Sequence, residues 1–162
     1  MTTYHAIEDL SHDPKLAAAI GNMVVAWARA EIVLLSALSR IADINLNMSL
    51  AGYFRIPTFE ARVKFILALI PEWKTDKFDK DAITTAIEKL SKLASARNHW
   101  IHGDWCIDKA RTQTVIFNHR VPVNSSERRK PIKEADVLNH CEAVKKRARA
   151  LADLIDWRSL VP

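Results

Sequence analysis

The sequence predicts an all-α fold: an up-and-down bundle of about four main helices, with a small β-hairpin inserted before the last one. Three observations predict it. Apolar residues recur at three- and four-residue spacing over long stretches, the mark of one helix face. Only three glycines occur in 162 residues, too few for a turn-rich β fold. After Gly103 the period changes, and Trp105, Ile107, Val115 and Phe117 alternate on either side of Asp108-Lys109-Ala110-Arg111. The length suits a single domain, residues 1–162, with a core large enough to need neither disulfides nor metals.

Each element has its own signal. The first dozen residues, with Glu8, Asp9 and His12, read as an exposed lead-in or a short helix. Asp13-Pro14 starts a long helix, with aspartate as N-cap and proline in the first helical position. This helix is expected to run to about Ala42, and its stripe is Ile20, Met23, Trp27, Leu34, Leu38 and Ile41. Glu31 interrupts that stripe. Asp43 to Ser49 reads as a loop, and Leu50 to Ile56 as a short helix ended by Pro57. Thr58 caps the next helix, where Phe59, Val63, Ile66, Leu67 and Ile70 face inward until Pro71. Glu72 to Lys80 is a charged connector carrying Trp73 and Phe78.

Asp79 or Asp81 caps a helix expected to run unbroken to His102. Its apolar face is Ile83, Ala86, Ile87, Leu90, Leu93, Ala94 and Ile101. Beyond the hairpin, Arg120 to Pro131 reads as a basic loop. A last helix runs from about Lys133 to Trp157, with Val137, Cys141, Val144, Ala148, Leu151 and Ile155 inward.

The net charge of +5 is unevenly placed. From Arg120 to Arg149 there are nine basic and four acidic residues, so the rest of the chain is balanced. Such a segment suits a polyanionic partner, although solvated helix faces produce similar clusters. Cys106 and Cys141 lack metal-type spacing and read as reduced thiols of a cytoplasmic protein. Met1-Thr-Thr-Tyr-His-Ala has neither the basic start nor the apolar run of a signal peptide. The apolar segment Leu16 to Ala42 contains Asn22, Arg29, Glu31 and Arg40, which argues against a membrane span.

The stretch Arg97-Asn98-His99-Trp100-Ile101-His102-Gly103 is the chemical focus. Arg97 lies on the apolar stripe, where a guanidinium that cannot lose its proton needs an anionic partner, a cavity or an interface. His102 follows, offset by about 140° around the helix, and Gly103 ends it. An arginine beside a histidine that titrates near neutral pH suits phosphate chemistry. The same residues also fit a plainer role. A last-turn histidine before glycine is an ordinary helix stop, and Arg97 could belong to a structural ion pair. Glu31 is the partner expected for it, since both charges interrupt inward stripes; that bridge could fix helix register without catalytic duty.

Other templates fit poorly. Gly21, Gly52 and Gly103 are too scattered for a phosphate-binding loop, and no Gly-x-Ser-x-Gly elbow occurs. Gly103 interrupts the helix between His102 and Cys106, which weakens a Cys–His dyad. His99, His102 and Asp104 lack the further ligands a metal site needs, so no metal and no cofactor are expected.

Arg97-Asn98, three residues and then His102-Gly103, closing a helix in a small helical protein, resembles the motif of the HEPN family. The resemblance implies a metal-independent endoribonuclease, of the kind found among toxins and phage-defence proteins. It implies a homodimer whose two motifs face each other, with RNA as substrate and an antitoxin or nucleotidyltransferase as a further partner. Arg97 would hold phosphate oxygens, His102 would transfer protons, Asn98 would add a hydrogen bond and Glu31 would orient Arg97. Trp100 departs from the family's usual aliphatic. Trp100 and His99 could contact RNA, or Trp100 could pack at the dimer interface. Arg128, Arg129 and Lys130 would add affinity for RNA, or simply keep the loop solvated. The alternative is a non-catalytic helical binding module of the same fold, serving nucleotide sensing, antitoxin pairing or protein interaction.

Overall fold

The computed structural model describes residues 4–108, 110, 113–118, 122 and 129–159. It is mostly helical, and the expected hairpin is part of a four-stranded antiparallel sheet. In chain order the elements are β1 (Tyr4–Ala6), α1 (Pro14–Ala42), α2 (Leu46–Tyr53), α3 (Phe59–Leu69), α4 (Lys80–Ser91), α5 (Ala94–His102), β2 (Asp104–Asp108), β3 (Thr114–Phe117), β4 (Arg129–Pro131) and α6 (Glu134–Leu154). The chain divides into two compact units, residues 1–24 with 95–141 and residues 25–94 with 142–162.

The second unit is helical. Its core is built from Leu34, Leu38, Val63, Ile66, Ile83, Ile87, Leu90, Leu151 and Ile155, all buried. The helix starts follow the cap chemistry. Thr58 Oγ1 accepts from Ala61 N at 3.1 Å, and Asp79 Oδ1 accepts from Ala82 N at 2.9 Å. Asn45 caps α2 in the same way, accepting from Met48 N, so α2 opens inside the expected loop, at Leu46 rather than Leu50. Trp73 is buried and stacks on Phe78, which anchors the charged connector. α6 stops at Leu154, short of the expected Trp157. Asp156 turns the chain with φ 52°, and Trp157 Nε1 then donates to Ser36 Oγ at 3.1 Å.

The first unit holds the sheet, in order β1-β2-β3-β4. Its register pairs Ala6 with Cys106, Cys106 with Val115 and Val115 with Pro131. Two of these strands correct the expectations. Tyr4–Ala6 is a strand rather than a lead-in or helix, and Arg129–Pro131 is the edge strand of what was expected to be loop. Pro131 ends that edge strand, a position where its missing N–H costs little. The remainder of the expected basic loop, residues 120–128 apart from Pro122, lies outside the described residues.

α1 has 29 residues and is long and apolar enough to cross a membrane by length and composition. Much of its apolar surface is instead spent on the core: Leu16, Ala19, Met23, Trp27, Ala30, Leu34, Leu38 and Ile41 are all buried. Its start matches the sequence reading, since Asp13 Oδ1 accepts from Leu16 N at 3.0 Å.

The helix expected to run unbroken to His102 is two helices. After Ser91 the amides of Lys92 and Leu93 both reach Leu90 O, tightening the last turn of α4 before α5 begins at Ala94. None of the α5 side chains is fully buried, whereas Ile83, Ala86, Ile87 and Leu90 of α4 are.

Candidate functional site

α5 carries the Arg97-to-His102 stretch, and all of it belongs to the first unit. Helical geometry separates the Arg97 and His102 Cα atoms by about 8–9 Å and points their side chains about 140° apart. Arg97 is half-buried, and its Nη1 donates to Asn98 Oδ1 at 2.8 Å. The neighbouring amide therefore helps hold the guanidinium, a role the sequence reading gave to Glu31. His102 is exposed at the end of the helix.

Gly103 follows for a reason the sequence does not disclose. A glycine after a helix is ordinarily explained by a left-handed φ. Among the described residues no glycine has positive φ, and Gly103 is required by space instead. A Cβ there would overlap Ile116 Cγ2 on β3 and lie 2.5 Å from the His99 carbonyl oxygen. The end of α5 thus presses directly on the sheet, and Trp105 Nε1 reinforces the contact by donating to Trp100 O at 3.0 Å.

His99 and Trp100 are both half-buried. Desolvation, with the charge of Lys130 nearby, lowers the His99 pKa from the usual 6.5. Trp100 meets the His140 ring edge-on, with centroids 4.8 Å apart. Burial lowers the His140 pKa as well, so both histidines favour the neutral form. Arg129 and Lys130 are exposed on β4, whereas Arg128 lies outside the described residues. Cys106 is buried, and burial together with Asp104 raises the pKa of its thiol, which disfavours a reactive thiolate. Among the described residues, no three His, Cys, Asp or Glu side chains gather as a metal-binding group.

Glu31 lies in the second unit, and its ion pair is with Arg62 rather than the expected Arg97, at 3.4 Å. Trp27 Nε1 also donates to Glu31 Oε1, at 3.3 Å. Arg62 is further held by Ile56 O at 3.0 Å and by the Tyr53 and Phe54 rings, 4.9 and 5.1 Å from its guanidinium carbon. Tyr53 is fully buried beside this pair, and desolvation, with the Glu31 charge, pushes its hydroxyl pKa up. Sequence reasoning missed Arg62, although the signal was present. It lies between Phe59 and Ile66 on an inward stripe, as Arg97 was expected to lie on its own.

Comparison with protein-family models, curated proteins and solved structures gave no match for this chain.

Proposed function

We propose that this chain is a metal-independent endoribonuclease of the HEPN kind, acting at a composite site formed by two copies. The reading adopts the helical-bundle layout of that family and a cytoplasmic setting, with toxin or phage-defence duty and an antitoxin or nucleotidyltransferase as partner. One observation carries it. Arg97, Asn98 and His102 share the short helix α5, with the guanidinium oriented by Asn98 and the imidazole exposed at the helix end.

The chemistry requires little more from the protein. RNA supplies its own nucleophile, the 2′-hydroxyl. Attack on the adjacent phosphorus forms a 2′,3′-cyclic phosphate and expels the 5′-oxygen of the next nucleotide. A base must take the 2′-hydroxyl proton, and an acid must give one to the leaving oxygen. His102 serves one of these roles in each chain, and Arg97 offsets the charge that develops on the phosphate oxygens. One α5 directs the two side chains apart, so a two-fold pair of helices provides both histidines and a convergent arginine.

The test is purified protein incubated with mixed RNA in EDTA, beside the Arg97→Ala and His102→Ala variants. Cleavage by the wild type that falls at least about 100-fold in each variant supports the reading. A folded dimer that cleaves no RNA transfers the case to the binding-module alternative.

A further inference from the structure

α2 carries no charge, and only one side of it is covered. Its buried residues are Ser49 and Tyr53, whereas Met48 is 58% and Leu50 46% exposed. Ala51 and Gly52 are exposed as well, and Phe54, which caps the helix, is 47% exposed. A helix apolar on nearly every side is ordinarily covered on every side. The open surface continues onto α3. The Arg62 guanidinium carbon lies 5.1 Å from the Phe54 ring, and Phe65, three residues further along the same helix, is 45% exposed. All of these residues belong to the second unit.

We propose that this face, at Met48, Leu50, Phe54 and Phe65, is where a second copy of the chain docks. The proposal rests on the endoribonuclease reading for the pairing of two copies and adds where they meet. Charge selects the occupant. Copies of a chain with net charge +5 repel one another, so the surface through which they meet must itself be free of net charge. No charged residue occurs from Ile44 to Phe54, although 27% of the chain is charged. Arg62, between Phe54 and Phe65, is already neutralised by Glu31 at 3.4 Å. A two-fold axis sets the same patch against itself, which an uncharged surface tolerates and a basic one does not. The flanking exposed charges, Asp43, Arg55, Glu60 and Lys64, are of both signs. Such a rim suits a copy of itself, whereas an anionic bilayer selects for cations alone.

Size points to the same occupant. At roughly 200 Å² for a large apolar side chain, the four exposures leave about 400 Å² open, a patch that monomers seldom leave uncovered. A standard interface takes about 800 Å² from each partner, with an apolar core and a polar rim. The four side chains supply that core and the flanking charges its rim. Phe54 is already fixed: its ring meets the buried Tyr53 edge-on, with centroids 5.1 Å apart, and Arg62 lies against it. An aromatic ring held in one geometry loses little entropy on docking and makes a strong anchor.

The experiment is sedimentation velocity of the full chain at about 1–100 µM, the range that reads a micromolar dimer. Met48→Lys and Leu50→Lys put a cation into the docked face of both copies and are expected to weaken dimerisation about 10- to 100-fold each. Leu50→Glu is expected to do the same alone, and mixing it with Leu50→Lys to restore a dimer, because the two charges then attract. Val25→Lys, on the exposed side of α1, is expected to dimerise as the wild type does. Far-UV circular dichroism establishes that each variant is folded. A wild type that stays monomeric overturns the proposal, as do α2 variants that dimerise as tightly as wild type. Binding of the wild type to phosphatidylglycerol vesicles that the α2 variants lose, with dimerisation unchanged, assigns the face to lipid and also overturns it. RNA cleavage separates this claim from the catalytic one. Monomeric α2 variants that cleave as the wild type does keep the docking face and remove the composite site. A wild-type dimer that cleaves nothing, and that the α2 substitutions dissociate, keeps the docking face and removes the catalytic reading.

Discussion

Gly103→Ala is the most informative single methyl group to add. The Cβ it introduces overlaps Ile116 Cγ2 and sits 2.5 Å from the His99 carbonyl oxygen, where about 3.4 Å is ordinary contact. Ile116 is fully buried on β3 and has no open space to turn into, and the carbonyl belongs to the backbone of α5. The end of α5 must therefore lift from the sheet by roughly 1 Å. Overpacking of this kind costs about 1–3 kcal/mol. For a chain of this length, that lowers the melting temperature by about 2–12 °C. The displaced segment carries His102, the proposed proton-transfer group, and a 1 Å misplacement of such a group costs on the order of 100-fold in rate. Thermal denaturation and single-turnover RNA cleavage on the same preparation measure both effects. A Gly103→Ala protein that melts and cleaves as the wild type does would refute the reasoning about this contact.

Three further outcomes follow from other parts of the molecule. Removing one partner of the Glu31–Arg62 bridge, by Glu31→Gln, should cost about 2–3 kcal/mol in urea denaturation, since the side chains are only 19% and 12% exposed. A variant as stable as wild type would show that the bridge contributes little. The lowered pKa values of His99 and His140 make stability pH-dependent. Their neutral forms contribute fully above the unfolded value of 6.5, and the contribution declines as pH falls through it, because the unfolded chain binds protons first. Melting curves between about pH 8 and 5 should show a decline that His140→Leu reduces, and equal slopes would contradict the assignment. Light scattering at micromolar concentration should report a homodimer; a monomer alone would remove the composite site.

Much of the helical layout could be read from local signals because local chemistry determines it. Asp13-Pro14, Thr58 and Asp79 each act as helix starts through one side-chain hydrogen bond, a relation contained within four residues of sequence. The α6 stripe from Val137 to Ile155 is buried as its period required. The Asn45 cap of α2 is a local signal that was missed, and the other failures are mostly nonlocal. Tyr4–Ala6 becomes a strand only because β2, about a hundred residues later, supplies its partners. Arg129-Lys130-Pro131 has no strand character of its own and is ordered by pairing with β3. The break between α4 and α5 contains neither glycine nor proline, and Leu93 keeps the apolar period through it.

The site was legible to the same degree. The helix end at His102 is local and was legible, whereas the hydrogen bond from Arg97 to Asn98, equally local, was not foreseen. The partner of Glu31 required knowing which stripes meet, and spacing alone could not choose Arg62 over Arg97. Gly103 was visible as a helix stop, while its close approach to Ile116 depends on a strand formed after it in the chain.

In the proposed reaction α5 uses RNA's own 2′-hydroxyl, with Arg97 and His102 supplying charge and proton transfer. The direct measurement is end-group analysis of a defined RNA cleaved in EDTA, beside an otherwise identical RNA with a single 2′-deoxynucleotide at the cleavage site. The expected result is a 2′,3′-cyclic phosphate on the upstream fragment, no cleavage at the deoxy position, and loss of about 10²–10⁴-fold in rate for His102→Ala. Cleavage that proceeds at the deoxy position, that requires a divalent cation, or that survives the Arg97→Ala/His102→Ala double variant would contradict it.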